Sequence, residues 1–168
     1  LDDVRVLVHP SFDPYYYGYF VEGLRAVVGE ANISVTNRGF PGKGSDVFTK
    51  KDTMLLQLED GAKRRRLYVS ADDHDRISRT GLDWADVYAK VNVGPASRQA
   101  AEDAGASEKL VAIGPTFGVR AWTTLQAIRL ATRVPGRVRR DFVPYYLREL
   151  YRQRNRRRAV LDALRRRD

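Results

Sequence analysis

Two histidines, one run of closely spaced acids and several glycine-bearing loops are the residues of this 168-residue chain best suited to chemistry. His9 and His74 are the only histidines, and either can act as a base near neutral pH. Asp72, Asp73 and Asp75 form the densest acid group. Carboxylates that close can hold a divalent cation, or their repulsion can raise one pKa and leave that group as a general base. Aspartate is also a favoured cap and turn residue, so the same run can simply start the next element. Tyr15, Tyr16, Tyr17, Tyr19 and Phe20 crowd one short stretch. Tyr17 and Phe20 have the spacing of a core stripe, whereas Tyr15, Tyr16 and Tyr19 are open to stacking on a flat ligand such as a sugar ring. No Gly-x-Ser-x-Gly nucleophile motif occurs. The loop Phe40-Pro41-Gly42-Lys43-Gly44-Ser45 has the composition of a phosphate loop without its spacing.

The elements that must position these groups alternate between strand and helix. Val4–Val8 is a β-branched run that ends at His9-Pro10, as a first strand does. Asp13-Pro14 supplies a cap and an N1 proline for a helix whose apolar positions are Tyr17, Phe20, Val21, Leu24 and Val28, with Gly29 as its stop. Asn32–Thr36 is a second strand, which closes a β-α-β unit. Thr53–Leu58 and Leu67–Ser70 are two further strands, and Asp60-Gly61 in the connector between them favours a hairpin over a parallel pair. Ala85–Val91 and Leu110–Ile113 are strand-like, with a short helix or turn near Ser97–Gly105. Helical patterns begin at Trp122 and again at Pro144. The predicted architecture is α/β, a Rossmann-like open, mostly parallel sheet with helices on both faces and a basic C-terminal helix. Residues 1–143 form the domain and residues 144–168 the basic helix.

Charge is unevenly distributed along the chain. The net charge is +9, yet residues 129–168 hold 14 arginines against four acids, while the first 128 residues are close to neutral. A tail of that kind can bind nucleic acid through counterion release, or dock on another domain or an anionic membrane surface. Apolar residues recur along it at helical spacing, so nucleic acid is the weaker of these expectations. The chain has no cysteine, which excludes a disulfide framework and thiolate metal sites. No signal peptide or membrane span is recognisable, so the expected location is cytoplasmic, with peripheral membrane attachment through the tail as an option.

In open α/β sheets ligands bind beyond the carboxyl ends of the strands. Three segments there, in order, carry a family resemblance. Leu67-Tyr68-Val69-Ser70-Ala71-Asp72-Asp73, Trp84-Ala85-Asp86-Val87-Tyr88-Ala89-Lys90-Val91-Asn92 and Ile113-Gly114-Pro115-Thr116-Phe117-Gly118-Val119 resemble bacterial GT-B glycosyltransferases over roughly residues 4–120. The resemblance implies the N-terminal, acceptor-binding half of an enzyme that moves a sugar from a nucleotide-sugar co-substrate to a carbohydrate or other small acceptor. No further cofactor or metal is implied. Asp73 or His9 would be the base that deprotonates the acceptor hydroxyl. Ser11, Tyr15, Tyr16, Asp72, Lys90 and Asn92 would line the cleft, and the backbone from Gly114 through Thr116 to Gly118 would meet donor phosphates. No donor-site acidic motif occurs in this sequence. A donor-binding domain or second chain is therefore the expected partner, and this chain by itself should not catalyse transfer.

Overall fold

The computed structural model describes residues 4–12, 14–42 and 53–114, together with Leu125 and Arg129. Six strands form one sheet: β1 (Val4–Val8), β2 (Ile33–Val35), β3 (Thr53–Asp60), β4 (Lys63–Ser70), β5 (Val87–Lys90) and β6 (Leu110–Ala112). Their order across the sheet is β2-β1-β3-β4-β5-β6. β1 pairs in parallel with β2, as do β4 with β5 and β5 with β6, while β3 runs antiparallel to both β1 and β4. The result is a mixed, mostly parallel α/β sheet in which one reversed strand sits at the centre. The expected hairpin is present. Its connection is only two residues, because Asp60 lies opposite Lys63. Gly61 takes a positive φ of 56°, which suits glycine at the first position of a two-residue hairpin turn.

Three helices link the parallel strands: α1 (Pro14–Val28), α2 (Arg79–Trp84) and α3 (Pro95–Asp103). α1 follows the predicted stripe. Tyr17, Val21 and Val28 are buried on it, and Phe20 and Leu24 pack against the same cluster. Gly29 stops the helix with φ 80°, its N–H bonded to the Arg25 carbonyl at 3.0 Å. α2 has no counterpart in the sequence reading, because its six residues include Gly81 and Asp83 and show no apolar period.

The two faces of the sheet bury different things. Val6, Val8, Met54, Leu56, Val69 and Ala89 face one way and pack with Phe12 and α1. Leu55, Tyr68 and Tyr88 face the other, against Leu82 and Ala85 at α2, Ala101 of α3 and Ala106 beyond it. Helices therefore cover both faces, as expected. The predicted helices from Trp122 and Pro144, the basic tail, and the candidate positions Thr116 and Gly118 lie outside the described residues, Leu125 and Arg129 apart. Among the described residues no helix is long and apolar enough to cross a membrane.

Candidate functional site

Because β1, β2, β4, β5 and β6 all point the same way, their carboxyl ends share one edge of the sheet, joined there by the start of β3. β1 continues through α1 on one face, and β4 through α2 on the other. Loops that leave the two parallel strands flanking β3 toward opposite faces open a crevice at this edge, the kind of position where α/β sheets bind ligands.

His9 and Ser11 follow β1 and are 5% and 3% exposed. The Ser11 N–H donates to His9 Nδ1 at 3.2 Å, and the Ser11 hydroxyl lies 2.6 Å from the same atom. An N–H can only donate, so Nδ1 is an acceptor and the ring proton sits on Nε2. Phe40 meets the ring edge-on at 5.2 Å. Burial pushes the His9 imidazole down to about 4, so it is uncharged at neutral pH. As a base it is weak, with Nδ1 already committed.

The acid cluster splits into three jobs. Asp75 caps α3 from a distance in sequence: its carboxylate accepts from the N–H groups of Gly94 (3.0 Å), Ala96 (2.9 Å) and Ser97 (3.0 Å). Hydrogen bonds from the Ser97 side chain and from these backbone groups hold its carboxyl down at about 2. Asp72 accepts from the His74 N–H at 3.0 Å, which forms a local turn, and its other oxygen lies 3.5 Å from Arg76. Asp73 is exposed, and its backbone carbonyl accepts from the Asn92 side-chain amide. Among the described residues no three acids or histidines are grouped to hold a metal. Of the readings for this run, capping and turn formation account for Asp75 and Asp72, and Asp73 keeps a solvent-facing carboxylate.

Lys90 and Asn92 fasten this loop to the end of β5. Lys90 is completely buried, and its ammonium donates to the Asp72 carbonyl at 3.0 Å. Ile113 N–H donates to the Lys90 carbonyl at 2.9 Å, which brings Gly114 beside the same edge. From the other face, the Ala71 N–H donates to the Tyr17 hydroxyl at 3.1 Å. Asp72, Asp73, Lys90 and Asn92 are thus assembled directly, with Gly114 next in line, and His9 with Ser11 forms a second, separate pair. Tyr16 is 39% exposed and Tyr19 51% exposed, both on the outer side of α1. The side chain of Tyr15 lies outside the described residues.

One feature of this edge is absent from the sequence reading. Hairpin register sets Thr53 opposite Ser70, and β4–β5 register sets Ser70 opposite Lys90, so a polar row crosses three strands on the α2 face. The next row inward is Leu55, Tyr68 and Tyr88, whose tyrosine rings stack with centroids 4.6 Å apart. Between these rows and the loop after β4 is a cavity of about 150 Å³, lined by Thr53, Tyr68, Ser70, Asp72, Arg76, Ile77, Ser78 and Tyr88. Burial, reinforced by the neighbouring Tyr88, raises the Tyr68 phenol well above its usual range, and burial likewise raises Tyr88. Both therefore remain hydrogen-bonding hydroxyls at any physiological pH. The signal for this site was the two-residue turn: once Gly61-Ala62 is the whole connection, Thr53 must meet Ser70.

No family model, curated protein or solved structure matches the chain.

Proposed function

We propose that this chain is the acceptor-binding half of a glycosyltransferase, a Rossmann-like domain whose ligand edge holds Asp72, Asp73, Lys90 and Asn92. One observation carries the reading. The segments that resemble GT-B enzymes are distant in sequence, yet three hydrogen bonds tie their ends together: Lys90 to the Asp72 carbonyl, Asn92 to the Asp73 carbonyl, and Ile113 to the Lys90 carbonyl. A loop held that firmly beside an exposed carboxylate is suited to present Asp73 to an acceptor hydroxyl. Asp73 is preferred to His9 as the base, because it faces solvent whereas His9 is buried with Nδ1 engaged. The nucleotide sugar is a co-substrate, and the partner this function requires is a donor-binding domain or second chain. The expected setting is cytoplasmic.

The test is release of nucleoside diphosphate from a panel of nucleotide sugars by the protein that contains this domain together with its donor-binding half. Asp73→Asn is expected to lower turnover by about 10²- to 10⁴-fold, the usual contribution of a general base, with the fold intact. Unchanged turnover removes Asp73 from the site. Failure to turn over any nucleotide sugar removes the reading itself.

A further inference from the structure

α1 lacks the polar outer side that a surface helix needs. Of its 15 residues only Glu22 and Arg25 are charged, and these two pair with each other. Arg25 is also largely covered, its side chain 17% exposed. The side turned away from the sheet is instead Tyr16, Tyr19, Gly23, Ala26 and Val27, one stripe at helical spacing and all exposed. Val27 reaches 61% exposure. A helix with apolar stripes on both sides is built to be covered on both, and an exposed patch of that kind marks a docking surface. The rim of the patch is acidic: the side chains of Glu22 and Glu30 are 42% and 65% exposed.

Size, charge and reach select the occupant. The stripe is about 16 Å long and one helix wide, a footprint of about 160 Å². A stable dimer takes about 800 Å² from each partner, so this face does not hold a second copy, whose acidic rim would also oppose its own. A segment of the same chain needs far less area, because tethering raises its effective concentration to about millimolar. An anionic membrane is repelled by Glu22 and Glu30. The face is complementary to a short apolar segment with cations beside it. Residues 144–168 have that composition: Leu147, Leu150 and Tyr151 near one end, Val160, Leu161 and Leu164 near the other, and nine arginines against three acids. They can also reach it. The 29 residues between Gly114, just after β6, and Pro144 span about 44 Å even if wound into helix, and the six-stranded sheet is about 24 Å across. We propose that the basic segment 144–168 folds back onto the outer side of α1, its apolar residues over Tyr19 and Val27 and its arginines at Glu22 and Glu30. The docking does not depend on the transfer reading.

The natural sequence has no cysteine, so a single nitroxide label can be carried by Ala31→Cys, an exposed position just beyond α1. The test is paramagnetic broadening of the amide resonances of residues 144–168 in the full 168-residue chain. Broadening that does not change with protein concentration is expected. Val27→Arg, which buries an unpaired cation against the arginines, should lower the docked fraction about tenfold while the amides of β1 to β6 keep their positions. Glu30→Lys, at the exposed rim, should weaken docking about threefold and make it less sensitive to salt. Absence of broadening in residues 144–168, or broadening that survives both substitutions, overturns the proposal. Broadening that grows with protein concentration overturns it in favour of a second copy. Perturbation of α1 only when phosphatidylglycerol vesicles are added overturns it in favour of a membrane.

Discussion

The same three central strands present two unlike faces. On the α1 side Met54, Leu56, Val69 and Ala89 are aliphatic and pack against one long helix. On the α2 side the intervening residues include Thr53, Gln57, Ser70 and Lys90, all no more than 4% exposed, and the cover is two short helices with the Asn37–Gly42 stretch. Gln57 is wholly buried there. Its amide donates to the Gly39 carbonyl, while Oε1 has no partner among the described residues. Buried polar groups need bonds to offset their lost hydration, and an aliphatic face carries no such requirement. Both faces bury apolar side chains, and the α2 face also gives up some stability to hold polar groups in a fixed array.

Substitutions on the two faces should separate these roles. Leu56→Ala on the aliphatic face is expected to cost roughly 2–5 kcal/mol in urea denaturation, since Leu56 is 3% exposed and its loss leaves a void. A cost below that of any single change on the α2 face would break the comparison. The next effect belongs to the sheet edge. His9 takes up its proton near pH 6.5 when unfolded and only at about 4 when folded, so between those values the unfolded chain binds more protons and stability rises with pH. Acidification across that window should cost about 3 kcal/mol, with no further loss from this group below it. His9→Gln should flatten the corresponding part of the profile, and an unchanged profile would show that other groups govern it.

Smaller effects sharpen the picture of the α2 face. A Cβ at Gly81 would stand 2.7 Å from the Tyr68 ring, so Gly81→Ala should push that ring from its stack at about 1–3 kcal/mol. Near-ultraviolet circular dichroism of the tyrosines would report the movement, and an unaltered spectrum would mean that α2 shifts instead. Tyr17→Phe, which removes the acceptor for the Ala71 N–H, should cost about 1 kcal/mol and raise amide exchange at Ala71. Exchange confined to other residues would show that Tyr17 does not anchor the end of β4.

Periodicity in the sequence was enough to find β1, α1 and β2, because each carries a clean apolar pattern between recognisable stops. β3 and β4 were seen as shorter than they are: Glu59, Asp60 and Lys63–Arg66 look like connector by composition, yet they continue the ladder as an exposed extension. Cross-strand pairs such as Arg64 with Glu59, 2.8 Å apart, keep that polar extension paired. The central position of β3 was not legible, since strand order depends on contacts between residues about fifty apart. At the site, the acid run was recognised but its division of labour was not. Asp75 reaches α3 across some twenty residues of sequence, and no spacing rule announces that. Lys90 was marked by the resemblance, whereas its complete burial follows only from the parity of β5 and the loop folded over it.

The two outermost described strands, β2 and β6, are three residues each. A sheet edge exposes unpaired backbone groups that can recruit another chain, and a long flat edge is an invitation to aggregate. Here β1 lines residues 56–60 of β3 and β5 lines residues 67–70 of β4, the uncovered residues 63–65 of β4 are basic, and the outer strands offer only three residues apiece to a stranger. The reversed strand at the centre therefore has a colloidal consequence as well as a topological one: the apolar stretch with the greatest capacity for β pairing is flanked on both sides, and the part left open carries charge.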